Sequence, residues 1–349
     1  MNFPRKDFEK ASCKDANIEK GKLLDMFDKI QEDSLNVHAL VLIKDGNKVF
    51  DAYAATYGPE VRENVYSISK SFTSVAIGIL IDRGLLSTDD LLVKFFPEEA
   101  KNASEAYQKM TVKHLLTMSA GHPRDYLYDI QPNQDPVKVF FEGELTSEPG
   151  TKFMYNNFCT YMLSAIVTKI TNMSLLDFCD KEIFQPLEID KPLWRTAGKY
   201  TVGATGLELS AIDLAKFGHL LLNNGVWRDK QIVSKAYLDL ATSYQINTDH
   251  VDNPKDRYGY GYQFWMNDFG DYRCAGLFKQ YIVINKEFNT VFVTQAYEER
   301  ELLNLFTSFV YPGLTNGWVY DSNTLRNYIY RFTDNSLELI KKEKAARKY

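Results

Sequence analysis

Between residues 67 and about 251 the apolar residues recur mainly at helical spacing, and strand-like segments occur only on either side, at 37–55 and 258–297. Such a chain has one simple solution: its two ends pair into a single antiparallel sheet, and a mostly helical region is inserted between them. The pattern predicts an α+β fold. Residues 1–66 and 252–349 form a discontinuous sheet domain with flanking helices, and 67–251 form the helical region. No period of 20–50 residues and no low-complexity linker suggests another division.

Local signals fill in this outline. The Asp45-Gly46 pair between "HALVLI" and "VFDAYAA" marks a hairpin, and "IEKGKLLDMFDKIQED" before it has helical spacing. Gly84 ends a helix that starts near Ser67, "STDDLL" opens a short one, and Thr111 caps "VKHLLTMSAGH", which Gly121 closes. Helices are expected at 155–171, 174–185 and 210–223, the last behind the Ser-x-x-Asp box of "SAID". Beyond Pro254, "YGYGYQFWMN", "DYRCAGLF", "QYIVINKE" and "TVFVTQAYE" read as an antiparallel meander, with helices near 298–310 and 322–346 after it.

Several function classes are disfavoured. A net charge of −5 gives no reason to expect nucleic acid or an anionic membrane as partner. The first fifteen residues are charged and lack an apolar h-region, and "VAIGILI" is far too short to span a bilayer, so the expected location is the cytoplasm. Cys13, Cys159, Cys179 and Cys274 are scattered and read as free thiols. The five histidines are dispersed, with no H-E-x-x-H, no Walker A loop and no G-x-S-x-G elbow. "GYGYQF" lacks the third glycine of a dinucleotide fingerprint. Neither metal nor cofactor is expected.

The chemistry gathers at "ENVYSISKSFTSVAIGILIDRGLL", where Lys70 follows Ser67 by three residues at a helix start. A chain of this length contains about one Ser-x-x-Lys by chance, and taken alone the motif reads first as a capped helix with a solvated lysine. It also has a catalytic logic. Residues three apart share a helix face, so the Lys70 amine can reach the Ser67 hydroxyl. A helix N-terminus and burial both push the lysine towards its neutral, proton-accepting form, and free backbone N–H groups there can hold an oxyanion. Further on, Tyr155 and Asn157 stand two apart at a helix entry. Near a lysine the phenol's pKa is expected to fall, so that Tyr155 relays a proton, while Asn157 fixes the lysine or a substrate carbonyl. The plain alternative is a core tyrosine beside an N-cap asparagine.

Together with "HLLTMSAG", "PGTKFMYNN", "IFQPLEI", "GLELSAIDLAKFGHLLLNNG", "YGYGYQFW" and "AGLFKQYIVIN", these stretches resemble the serine β-lactamase and penicillin-binding superfamily in its class C-type branch. That branch also holds esterases, D-aminopeptidases and 6-aminohexanoate-dimer hydrolases. The resemblance runs from residue 37 to about 297 and implies the β-lactamase/transpeptidase-like fold. It makes Ser67 the acylated nucleophile, Lys70 its base partner, Tyr155 the proton relay and Asn157 the third member of Tyr-x-Asn. The strand whose triplet opens with a cationic or polar residue in relatives reads Cys274-Ala275-Gly276-Leu277 here. Gly276 permits close approach of a substrate, and Leu277 N–H would join Ser67 N–H as oxyanion donor. Strand alternation should turn Arg273 away from the Cys274 face, and Cys274 reads as a small buried residue in the substrate-binding position. The expected function is a serine hydrolase acting on a small ester or amide. The alternatives are a true β-lactamase or DD-peptidase, and a non-catalytic binding member of the same fold.

Overall fold

The computed structural model describes residues 7–131 and 133–316, together with 332, 333, 336, 339–341 and 343. In chain order, the first elements used below are α1 (Lys20–Glu32), β1 (Val37–Lys44), β2 (Asn47–Tyr53), α2 (Ser69–Asp82), α3 (Asn157–Thr171) and α4 (Ala211–Leu222). Four strands follow, β3 (Trp265–Met266), β4 (Tyr272–Gly276), β5 (Gln280–Asn285) and β6 (Thr290–Ala296). The chain divides into two compact units. One comprises Met1–Val65, Leu209–Asn223 and Ala275–Tyr349; the other comprises Tyr66–Glu208 and Asn224–Cys274.

In the first unit the two ends of the chain share one antiparallel sheet. Leu40 of β1 stands opposite Ala52 of β2 on one side and Thr294 of β6 on the other. β6 continues to β5, with Phe292 opposite Val283. β1 is the apolar run "VHALVLIK", buried at every position but the last, as an interior strand covered on both faces requires. β2 is buried only at alternate residues. Asp45 and Gly46 both take positive φ (53° and 78°), which a two-residue type I′ hairpin demands. α1 reaches the sheet through Phe27, whose ring lies 5.5 Å from that of Phe50 on β2.

α4 packs on β1, β5 and β6. Its start is fixed reciprocally: the Asp213 N–H donates to Ser210 Oγ, and the Ser210 N–H donates to the Asp213 carboxylate. Gly218 sets how closely this helix approaches the sheet. A Cβ there would lie 2.5 Å from Val291 Cγ1 and 2.7 Å from Ile282 Cγ2. The helix expected over 322–346 lies mostly outside the described residues, but Glu343 bonds His38 Nε2 at 2.5 Å while Glu63 bonds Nδ1 at 2.8 Å.

The second unit is built around α2 and α3. α2 is buried on every side from Ser69 to Leu80, which is unusual for a helix so rich in hydroxyls. Each hydroxyl finds a backbone carbonyl: Ser69 bonds Tyr66 O, Ser71 bonds Gln263 O, Thr73 bonds Gly203 O, and Ser74 bonds Tyr262 O. The α2 hydroxyls thus tie remote loops to one helix. α3 starts at Asn157, behind Asn156, whose side chain accepts the Phe158 N–H at 2.8 Å.

Several expectations differ in detail. The short helix that "STDDLL" opens is a single 3-10 turn, Leu92–Lys94, because the Asp90 carboxylate captures the Ser87 N–H and holds a turn before it. The strand expected through "YGYGYQFWMN" shrinks to β3, since Gly259 (φ 107°) and Gln263 (φ 69°) turn the chain. The helix placed at 298–310 begins at Leu303 and runs on to Asn316 through a π turn at Phe306–Val310. The division also differs from one at 67 and 251. α4 joins the sheet it packs on, and 252–274 stay with the helical unit, where the Gln263 side chain donates to Leu115 O and Leu116 O.

The Gly218 contact gives a prediction. Alanine raises helix propensity by about 1 kcal/mol, but overpacking against two branched side chains costs about 1–3 kcal/mol. Gly218→Ala should therefore lower stability in urea titration, and a gain in stability would show that α4 can retreat from the sheet.

Candidate active site

The local reason for the site is the entry to α2. Tyr66 takes φ 47°, a left-handed conformation that costs a non-glycine residue about 1–2 kcal/mol, and so turns the chain abruptly into the 3-10 turn Tyr66–Ile68 and then α2. Ser67 stands at the mouth of the helix, partly exposed, while Lys70 one turn on is 1% exposed. The Lys70 Nζ donates to Ser67 Oγ at 2.9 Å, to Asn157 Oδ1 at 2.6 Å and to Ala204 O at 2.9 Å. Ser69, two residues on, is fully buried and donates instead to Tyr66 O at 2.6 Å.

Burial dominates the electrostatics. It lowers Lys70 to about 7, against the opposing pull of the Asp125 carboxylate and a smaller effect of Cys159. The Tyr155 ring centroid lies 4.8 Å from the Lys70 Nζ, and the ring stacks on Trp265 at 5.6 Å with 23° between planes. Ser67 is the neighbouring group that favours the phenol's ionised form. The expectation of a lowered phenol is reversed. Burial holds Tyr155 well above its ordinary value, and Ser67 offsets only part of that, so the phenol keeps its proton at neutral pH.

The remaining predicted residues are distributed as follows. Asn157, first residue of α3, joins Lys70 through Oδ1 and donates from Nδ2 to Asp125 Oδ2 at 2.5 Å. Cys274 is buried in the same unit with its thiol pushed up to about 12 by burial, against a hydrogen bond with Ser71. Arg273 turns elsewhere, to Met266 O, Asn267 Oδ1 and Asp256. Gly276 ends β4 with extended backbone and Leu277 is exposed; both belong to the first unit.

Three groups at the site carried no sequence signal. Asp125 sits in the turn-rich "GHPRDYLYD", Ala204 contributes only a carbonyl, and Trp265 looked like one more strand aromatic. Among the described residues no cluster of His, Cys, Asp and Glu could hold a metal, and no single helix is long and apolar enough to cross a membrane.

Comparison with known proteins bears on this arrangement. The family model described as Beta-lactamase matches residues 26–297. The 6-aminohexanoate-dimer hydrolase of Paenarthrobacter ureafaciens is 24% identical over 58% of this chain and 56% of its own length. Penicillin-binding protein 4* of Bacillus subtilis is 32% identical over 34% of this chain and 28% of its own length. The chain thus spans less than two thirds of these curated relatives. Among solved structures, a Bacillus anthracis protein proposed to be a 6-aminohexanoate-dimer hydrolase superposes with a TM-score of 0.72 at 21% identity, covering 90% of this chain and 88% of that one. An octameric penicillin-binding protein homologue from Pyrococcus abyssi gives 0.66 at 22% identity, covering 84% and 77%. At these identities the structures establish the fold, and the family match with its hydrolase relatives supports a function of the serine-hydrolase type. The chain belongs to the Beta-lactamase family, within the serine β-lactamase and penicillin-binding superfamily.

Proposed function

We propose that this protein is a serine hydrolase that forms an acyl-enzyme on Ser67 and hydrolyses a small ester or amide. The observation that carries the reading is the buried Lys70 amine 2.9 Å from Ser67 Oγ. A lysine at about 7 is half neutral at neutral pH, whereas an ordinary lysine would have to surrender roughly 5 kcal/mol to lose its proton there.

In the proposed sequence Ser67 Oγ attacks the carbonyl carbon and its proton passes to Lys70 Nζ. Ser67 N–H holds the oxyanion. The leaving group departs with a proton from the Tyr155 hydroxyl, which regains one from Lys70. Burial keeps this phenol protonated and makes it a weaker acid, so its proton leaves only as Lys70 supplies the next one. Water then attacks the ester, giving its proton back along the same route as Ser67 leaves. Asn157 holds the lysine. The buried Cys274 thiol supplies no cation for a substrate carboxylate, which favours neutral esters over penicillins.

Three outcomes test this. A fluorophosphonate should add to Ser67, seen as a mapped adduct by mass spectrometry. Ser67→Ala should abolish it and Ser69→Ala should not, because the Ser69 hydroxyl is committed to Tyr66 O; an adduct on Ser69 would sink the assignment. Neutral p-nitrophenyl esters should turn over faster than nitrocefin, since a missing charge-assisted hydrogen bond is worth about 1.5–3 kcal/mol, roughly 10- to 150-fold in kcat/KM. Nitrocefin turnover exceeding ester turnover would favour a true β-lactamase.

The third outcome concerns stability. Lys70 has a lower pKa folded than unfolded, so the unfolded chain binds more protons between pH 7 and about 10, and wild-type stability gains from this site as pH rises. Lys70→Met lacks that gain. Wild-type stability relative to Lys70→Met should increase by about 3 kcal/mol from pH 7 to 10 in parallel denaturant titrations. A pH-independent difference would mean that the lysine is solvated.

A further inference from the structure

We infer that Asp125 is a positioning residue for this reaction: by fixing which atom of the Asn157 carboxamide faces Lys70, it aims the Lys70 lone pair at the Ser67 hydroxyl. The inference rests on the acyl-enzyme reading above and assigns a role to a residue outside the Ser-x-x-Lys and Tyr-x-Asn elements.

The geometry is one of donors and acceptors. As an ammonium, Lys70 spends its three protons on Ser67 Oγ, Asn157 Oδ1 and Ala204 O. The neutral amine has two N–H bonds and one lone pair. Asn157 Oδ1 and Ala204 O accept only, so both N–H bonds go to them, and the lone pair is left facing the one partner that can donate, the Ser67 O–H. This sorting works only while Asn157 presents oxygen to the lysine. If the carboxamide turned over, its N–H would face the lone pair and compete with the serine.

Asp125 prevents that. Its Oδ2 accepts from Asn157 Nδ2 at 2.5 Å, and its Oδ1 accepts the Leu127 N–H at 3.1 Å. Both carboxylate oxygens therefore meet donors, and a turned Asn157 would set oxygen against oxygen. An asparagine at 125 replaces one of those oxygens with NH2. Either the Leu127 bond or the Asn157 bond must then fail, and turning the carboxamide relieves the second conflict.

Asp125 also acts on Lys70 through space. The groups around the lysine are Asp125 on the loop, Cys159 on α3, Tyr155 two residues before that helix, and the Ser67 hydroxyl in the 3-10 turn ahead of α2. Burial keeps the Cys159 thiol protonated, pushing it up to about 12, and raises Tyr155 as well, so Asp125 supplies the negative charge. It raises Lys70 against the larger lowering by burial.

The test needs no knowledge of the substrate. The rate of fluorophosphonate addition at Ser67 is measured against pH for the unmodified protein, Asp125→Asn and Asp125→Glu, each normalised to folded protein by circular dichroism. In Asp125→Asn the plateau rate should fall about 10- to 100-fold, the range expected for one misdirected buried hydrogen bond. Its acid limb should also move to lower pH, because Lys70 loses the charge that raised it. Asp125→Glu keeps the charge and should keep the limb near its original pH, whatever its plateau. A merely structural Asp125 would lower the plateau in both variants and leave both limbs in place. Labelling at Ser67 with an Asp125→Asn profile equal to that of the unmodified protein, or with an unmoved limb, overturns the inference alone. No labelling of the unmodified protein at Ser67 overturns the acyl-enzyme reading, and this inference with it.

Discussion

The interaction on which the second unit depends is the enclosure of α2. A helix carrying Ser69, Lys70, Ser71, Thr73 and Ser74 would ordinarily turn those residues to water, yet here all five are buried. A buried hydroxyl or amine without a partner costs about 1–3 kcal/mol, so such a helix is tolerable only if surrounding chain brings acceptors to it. The carbonyls of Gly203, Ala204, Tyr262 and Gln263 do so, from segments more than 120 residues away in sequence. The same requirement positions the loops and isolates the lysine. One constraint therefore builds both the unit and its chemistry.

That isolation is costly to the fold. Keeping Lys70 dry and turning Tyr66 into the left-handed region both oppose folding, and both lie within four residues of Ser67. The apolar body of the unit offsets them: Phe72, Val75, Ala76, Ile77 and Leu80 on the same helix are wholly inaccessible to solvent. Residues that depress stability next to ones that secure it are what a reactive centre on a rigid element looks like.

How far the sequence revealed this follows from how local each signal is. Asp45-Gly46 and the Ser210–Asp213 box act within four residues, and the hairpin and the start of α4 stand where they were read. Ser67 and Lys70 share one helix face by spacing alone, and their hydrogen bond follows. The sequence could not show that Gln263 would take φ 69° and break a strand, because its side chain and carbonyl answer to α2, α3 and Leu116 rather than to its neighbours. Tyr155 was misjudged for a related reason. Proximity to a cation was visible in the motif, but the burial that outweighs it depends on packing against Trp265, more than a hundred residues away. Asp125 was invisible because its partner, Asn157, is brought to it only by the fold.

The pairing of β1 with β6 has a consequence for synthesis. Val41 and Val293 stand opposite each other, and everything between them must leave the ribosome before they can meet. At about 5–20 residues per second that interval is on the order of 10–50 s. Throughout it β1, apolar on both faces, can pair only with β2 and shows its other edge unpaired. Long-range strand pairing is slow in any case, and an open apolar edge is a template for other chains. The nascent N-terminal hairpin is thus the segment most in need of protection by a chaperone, and the arrival of residues 290–296 is the event that ends that need.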